Sequence, residues 1–178
     1  GYPEPTEPRL VRPDLRKIEN RILASERGEE FYDGARINGY GGMKDDGRWA
    51  RIAENLIFDY KLPAGSSVLQ IGAHKGFLLR ELDKRLIEVC GTEISEYAIK
   101  NSVVHLDHAP FTDLPYQDND FDLVIAASPV YSLNLPDAIQ CLREIERVSR
   151  KDSWITLAAY EDEDDIEGLM LLRYWFLL

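Results

Sequence analysis

Apolar residues recur at spacings of three and four from Trp49 to Tyr60, through Ile52, Ala53, Leu56 and Ile57, and the run closes at Pro63 and Gly65. That period predicts an amphipathic helix stopped by a turn. Beyond it the pattern changes to short continuous apolar runs alternating with helical periods. Strands are predicted near 67–72, 88–94, 103–107, 121–127 and 153–160, with helices near 76–86, 95–101, 134–148 and 163–176. Parallel strands need crossover connections, so this alternation predicts an α/β fold, a three-layer αβα sandwich around a mainly parallel sheet.

The first 48 residues read differently. Four prolines fall within the first thirteen positions, followed by a charged stretch with spaced apolar residues around Leu15–Leu23, an arm leading into a short helix. Residues 31–49 are rich in glycine and aromatics without regular period and read as a loop whose rings need somewhere to pack. The chain thus divides into an N-terminal arm with a Tyr/Gly-rich segment, 1–48, and a domain over 49–178.

Composition narrows the function. With 44% hydrophobic and 30% charged residues the chain is of ordinary globular type, and its formal net charge of -11 disfavours a nucleic-acid or anionic-membrane surface. A small-molecule substrate is the default expectation. No apolar run has the length of a membrane span and the first residues lack a basic-then-apolar leader, so a cytoplasmic protein without membrane contact is expected. Cys90 and Cys141 lack metal-ligand spacing and read as buried thiols. His74, His105 and His108 are too few and scattered for a metal cluster, and no metal is expected.

The candidate chemistry lies in Val68–Leu79, an apolar run that ends in glycines and opens a helix, and in Glu88–Ser95, a second run ending in Glu93. Together they describe a nucleotide-type βαβ half-site. Gly72 and Gly76 let a ligand approach the backbone, and Glu93 is placed to accept hydrogen bonds from ribose hydroxyls. That much suits a nicotinamide cofactor or an adenosyl one.

Two downstream motifs distinguish them: Asp113–Ala126, which runs Asp-Leu-Pro-Tyr into an apolar strand, and Cys141–Val148, which contains Arg143-Glu144-Ile145-Glu146-Arg147-Val148. With Gly91–Ile99 and the glycine turn, they resemble the class I S-adenosylmethionine-dependent methyltransferases over roughly residues 49–160. The lead-in Asp46-Gly47-Arg48-Trp49 is similar to that of a bacterial small-molecule subgroup, many of its members without an assigned substrate. The resemblance implies a Rossmann-like fold, S-adenosyl-L-methionine as cofactor, and methyl transfer to a small-molecule acceptor by in-line displacement. It also implies roles: Gly72, Ala73 and Gly76 at the methionine part, with His74 in the same cofactor-binding turn, Glu93 at the ribose, Ile94 and Phe111 on the two faces of the adenine, Ala127 and Ser128 near the sulfonium.

Departures from the family pattern are Gln70 in place of an acid, His74 in place of the middle glycine, Pro110 in place of an Asp or Asn, and Arg150–Ser153 in place of the Pro-Gly-Gly turn before the fifth strand. No catalytic base stands out; Tyr131, His108 and Tyr40 are candidates by location, with Tyr32 beside them. Lys75 and His74 bring positive or switchable charge to the turn. Residues 28–48 are the expected lid, with Arg36 or Arg48 meeting an anionic acceptor. The resemblance implies two further strands after the fifth; the last strands of the usual seven-stranded sheet are expected to be absent here, and the final residues, Trp175–Leu178, are apolar. Either the chain is truncated or these residues bury against another copy in a homo-oligomer. A non-catalytic methyltransferase-like protein and an NAD-dependent oxidoreductase are the alternative readings.

Overall fold

A computed structural model describes residues 17–157, without the side chain of Tyr131. The predicted helix at 163–176, the acidic run Glu161–Asp165 and the apolar chain end lie outside the described residues. Contacts divide the chain into two units, Gly1–Met43 and Lys44–Leu178.

In the first unit, helix α1 (Ile18–Glu26) ends at Arg27 in a left-handed conformation, and a one-turn helix α2 (Glu29–Tyr32) follows. Its second half, Phe31 and Tyr32, lies inside the stretch expected to be irregular. Its reason is the ring packing that helical period cannot report: Tyr32 is fully buried, its ring stacked 5.8 Å from Tyr40, with Phe31 edge-on to both. The carbonyl of Tyr32 accepts from the N–H groups of Gly42 and Met43 at 3.1 and 2.8 Å, folding the segment back on its helix. Asn38 joins α1 to α2 by hydrogen bonds with Asn20 and Glu30.

The second unit begins with α3 (Arg48–Asp59), the amphipathic helix expected, which stops where Lys61 takes positive φ before Pro63. The sheet comprises β1 (Ser67–Ile71), β2 (Glu88–Glu93), β3 (Asp107–His108), β4 (Phe121–Ala126) and β5 (Ser149–Ile155), in the order β3-β2-β1-β4-β5, all parallel. Between them lie α4 (Phe77–Asp83), α5 (Glu96–Lys100), a single 3-10 turn (Val130–Ser132) and α6 (Leu135–Val148).

Strand alternation sorts the core into two faces. Val68, Leu123 and Ile125 pack with Ala53, Leu56, Leu78 and Leu82 of α3 and α4, whereas Leu69, Ile71, Val124 and Ala126 pack with Cys141, Ile145 and Val148 of α6. Each of these strand residues is fully buried, a stabilisation of about 1.5–3 kcal/mol per aliphatic side chain. Both faces of β1 and β4 are covered, which is why those strands read as continuous apolar runs.

Two strands differ from expectation. The third is Asp107–His108, not 103–107: Val103 is 42% exposed and the His105 side chain is 90% exposed, while Val104 and Leu106 pack with Ala73 and Leu79 from outside the strand. The fifth begins at Ser149, so Arg150–Ser153, expected as a turn, is strand. The cause is Asp122. Its buried carboxylate accepts from the Ser67 N–H at 3.0 Å and pairs with Arg150 and Lys151, tying the starts of β1 and β5 to β4.

The two downstream motifs meet in a clasp. Glu144 of α6 accepts from the Leu114 N–H at 2.8 Å, and Arg147 donates to the carbonyls of Leu114 and Tyr116 and pairs with Glu144 and Asp118. Charged hydrogen bonds to backbone therefore hold the loop that feeds β4.

Candidate functional site

Strand order reverses between β1 and β4, because the chain moves outward through β2 and β3 and returns to the other side of β1. In open parallel sheets the crevice at the carboxyl ends of such neighbours is where ligands bind. The residues there come from the turns after β1, β2 and β4.

After β1, the N–H groups of Gly72 and Ala73 both donate to the Thr92 carbonyl, at 2.9 and 3.0 Å, and the Gly76 N–H closes the turn onto Ala73 at 2.9 Å. Positive φ recurs at alternate positions, 68° at Gly72, 54° at His74 and 72° at Gly76. A Cβ at Gly76 would stand 2.5 Å from Val104 Cγ2, so glycine is required there by space as well as by φ. A Cβ at Gly72 would stand 3.4–3.5 Å from Pro129 and from the ring tip of Phe111, filling the space between the turn and those two side chains.

At the end of β2, Glu93 is fully enclosed. Its Oε1 accepts from the N–H groups of Ile94 and Ser95 at 2.8 and 3.1 Å, and its Oε2 from that of His74 at 2.8 Å. The His74 ring lies over the same carboxylate, Nδ1 3.5 Å from Oε2, and its Nε2 is 3.2 Å from Ser128 Oγ after β4. Three strand ends thus meet at one imidazole. Ser95 also caps α5, its hydroxyl accepting from the Ala98 N–H at 3.1 Å.

A model of the methyltransferase-domain family matches residues 69–157, half of the chain, from β1 through the glycine turn to β5. The chain belongs to the methyltransferase-domain family. Among curated relatives, the mouse protein named arginine-hydroxylase NDUFAF5, mitochondrial, is 34% identical over 126 residues, 58% of this chain and 36% of that one. The rat protein of the same name is 30% identical over 125 residues, with the same shares covered. The chain spans about a third of the length of the curated relatives it matches.

Solved structures of similar fold superpose on it. A candidate S-adenosyl-L-methionine-dependent methyltransferase of Methanococcus maripaludis aligns at TM-score 0.56 and 16% identity, covering 96% of this chain and 74% of that one. The [4+2]-cyclase SpnF aligns at TM-score 0.50 and 22% identity, covering 57% and 41%.

Of the residues expected at the site of this methyltransferase domain, Gly72, Ala73, His74, Gly76, Glu93 and Ser128 come together as described. Ile94 follows Glu93 and is 36% exposed; Phe111 is buried in the core beneath α6, its ring tip facing Gly72. Ala127 packs toward the α3 and α4 face. His108 stands exposed at the end of β3, on the sheet edge. Tyr40 belongs to the first unit, and Tyr131 lies in the 3-10 turn after β4. Arg48 pairs with Asp46, and Lys75, nearly buried, holds its ammonium over the Tyr97 ring.

Sequence reasoning missed three features: the bridge made by His74, the approach of Pro129 to Gly72, and the buried Oε1 of Gln70, which has no hydrogen-bond partner among the described residues. The one local signal for the first was a histidine in a glycine position.

Proposed function

We propose that this domain transfers a methyl group from S-adenosyl-L-methionine to a small-molecule acceptor. The observation that carries the reading is the family match over residues 69–157, whose span contains a left-handed glycine turn and a carboxylate at the neighbouring strand end. At Gly72 even a Cβ would already touch Phe111 and Pro129, so the turn presents bare main chain at that strand end, the surface a ligand approaching the backbone requires. Glu93 fits a ribose diol in chemistry, since an ionised carboxylate only accepts.

In this reading Gly72, Ala73 and Gly76 line the methionine portion, Glu93 holds the ribose, Ile94 and Phe111 flank the adenine, and Ala127 and Ser128 stand near the sulfonium. The cofactor supplies an electrophilic methyl group on a cationic sulfur. The protein's part is alignment and exclusion of water, and proximity contributes ~7–11 kcal/mol at best. Within the second unit, His108 and Tyr131 remain the candidates for removing an acceptor proton. The net charge of -11 supports an acceptor other than nucleic acid, and no helix among the described residues is long and apolar enough to cross a membrane.

A second reading keeps the fold and changes the reaction: two matched relatives are named for arginine hydroxylation and one structural neighbour for a [4+2] cyclisation, and fold does not determine chemistry. Thermal shift with S-adenosylmethionine, S-adenosylhomocysteine and NAD is the first test, because specific ligands raise stability by mass action. A rise with the two adenosyl ligands and not with NAD is expected. A rise with NAD alone favours an oxidoreductase, and no rise with any of them favours a non-catalytic domain. Labelled methyl transfer to a metabolite extract then separates methyl transfer from other chemistry on a bound adenosyl ligand.

A further inference from the structure

We propose that the His74 imidazole is a gate on the cofactor position, competing with the ribose for the last acceptor site of Glu93. The inference rests on the S-adenosylmethionine reading above. A carboxylate offers about four lone-pair sites on its two oxygens. In Glu93 three of them are taken by main-chain N–H groups, those of Ile94 and Ser95 at Oε1 and that of His74 at Oε2. The fourth belongs to Oε2, and His74 Nδ1 stands 3.5 Å from that atom. Glu93 is fully enclosed and the imidazole stands at Oε2, so a ribose hydroxyl that approaches this oxygen from the turn meets the ring.

The ring stands between two partners. In the tautomer that turns an Nδ1 proton toward the carboxylate, Nε2 accepts from the Ser128 hydroxyl, 3.2 Å away. Position 74 has φ 54°, a conformation that glycine adopts freely and a residue with a side chain rarely does. The contacts to Glu93 and Ser128 keep a histidine there. The Nδ1–Oε2 separation exceeds an ordinary hydrogen-bond length, so the ring covers Oε2 without a short bond to it. Rotation of His74 about its side-chain torsions opens Glu93 to the ribose and frees the Ser128 hydroxyl toward the bound ligand in one motion.

Apparent affinity falls by the fraction of molecules in the open state. A covered state populated at roughly 90–99% lowers affinity about ten- to a hundredfold, and removal of the ring restores it. The test titrates S-adenosylhomocysteine by calorimetry into the full chain, His74→Gly and His74→Asn; asparagine tolerates left-handed backbone without the ring's span. Long-range nitrogen-15 spectra of the imidazole accompany the titration of the unsubstituted chain. The expected result is an Nδ1-protonated tautomer in the free protein, loss of that signature at saturation, and binding to His74→Gly tighter by about tenfold or more, with His74→Asn also tighter. Equal affinity in all three proteins with imidazole signals unmoved at saturation, or an Nε2-protonated tautomer in the free protein, overturns the gate alone. Absence of binding in all three overturns the gate and the S-adenosylmethionine reading together.

Discussion

The main-chain N–H of His74 donates to the carboxylate of Glu93 at 2.8 Å, joining the turn after β1 to the end of β2 inside the protein. Glu93 is therefore structural before any ligand arrives. Its removal leaves three N–H groups without their acceptor, each costing about 1–3 kcal/mol when buried. Glu93→Ala is expected to lose at least about 3 kcal/mol in urea unfolding, and Glu93→Gln, which retains one oxygen, about half of that. A loss under about 1 kcal/mol in Glu93→Ala would mean that water replaces the carboxylate easily.

Gly76→Ala is expected to destabilise by about 2 kcal/mol or more, since it adds a left-handed alanine to a steric conflict. The new methyl meets Val104 at 2.5 Å and the Ser102 hydroxyl at 2.8 Å, and a β-branched neighbour has little room to yield. Thermal unfolding of the variant measures it.

Acid should unfold the second unit through two carboxylates. The Lys151 ammonium and the Ser67 N–H hold the Asp122 carboxyl below the usual range, and the Arg147 guanidinium and the Leu114 N–H do the same for Glu144. A folded-state value below the unfolded one contributes stability that is present above the ordinary carboxylate range and lost as pH falls through the lower, folded value. Asp122→Asn combined with Glu144→Gln should be less stable at pH 7 and show a shallower decline in urea midpoint between pH 5 and pH 2. Parallel decline in the variant and the unsubstituted chain would remove these two groups as the acid trigger.

Cys141 should resist thiol reagents until the protein unfolds. Its thiol is fully buried on α6, and burial first, the Glu144 charge second, push it up to about 11. Reactivity requires thiolate and access together. At pH 8, a disulfide-exchange reagent followed by peptide mapping should find Cys141 modified only with denaturant present.

The central strands were readable because burial on both faces leaves its mark residue by residue: Val68–Ile71 and Phe121–Ala126 are apolar runs that no other element explains. The edge strand was not. Asp107 and His108 pair with Thr92 and Glu93 through backbone groups alone, and main-chain pairing has no side-chain signature. The start of β5 was hidden for another reason. Arg150 and Lys151 look like turn residues until Asp122, a distant residue in the chain, is placed beside them.

The sequence by itself determined the alternation of strands and helices, the family, the glycine turn and the acid at the second strand end, because each is a local pattern of period, punctuation or residue type. Tertiary structure decided what those residues touch. Glu93 is saturated by three backbone N–H groups, and Ser128, 54 positions from His74, meets its ring at 3.2 Å. The crevice exists only because β1 and β4 are neighbours while β2 and β3 lie between them in the chain. Such contacts depend on which strand ends converge, and strand order leaves no trace in the spacing of residues along any one strand.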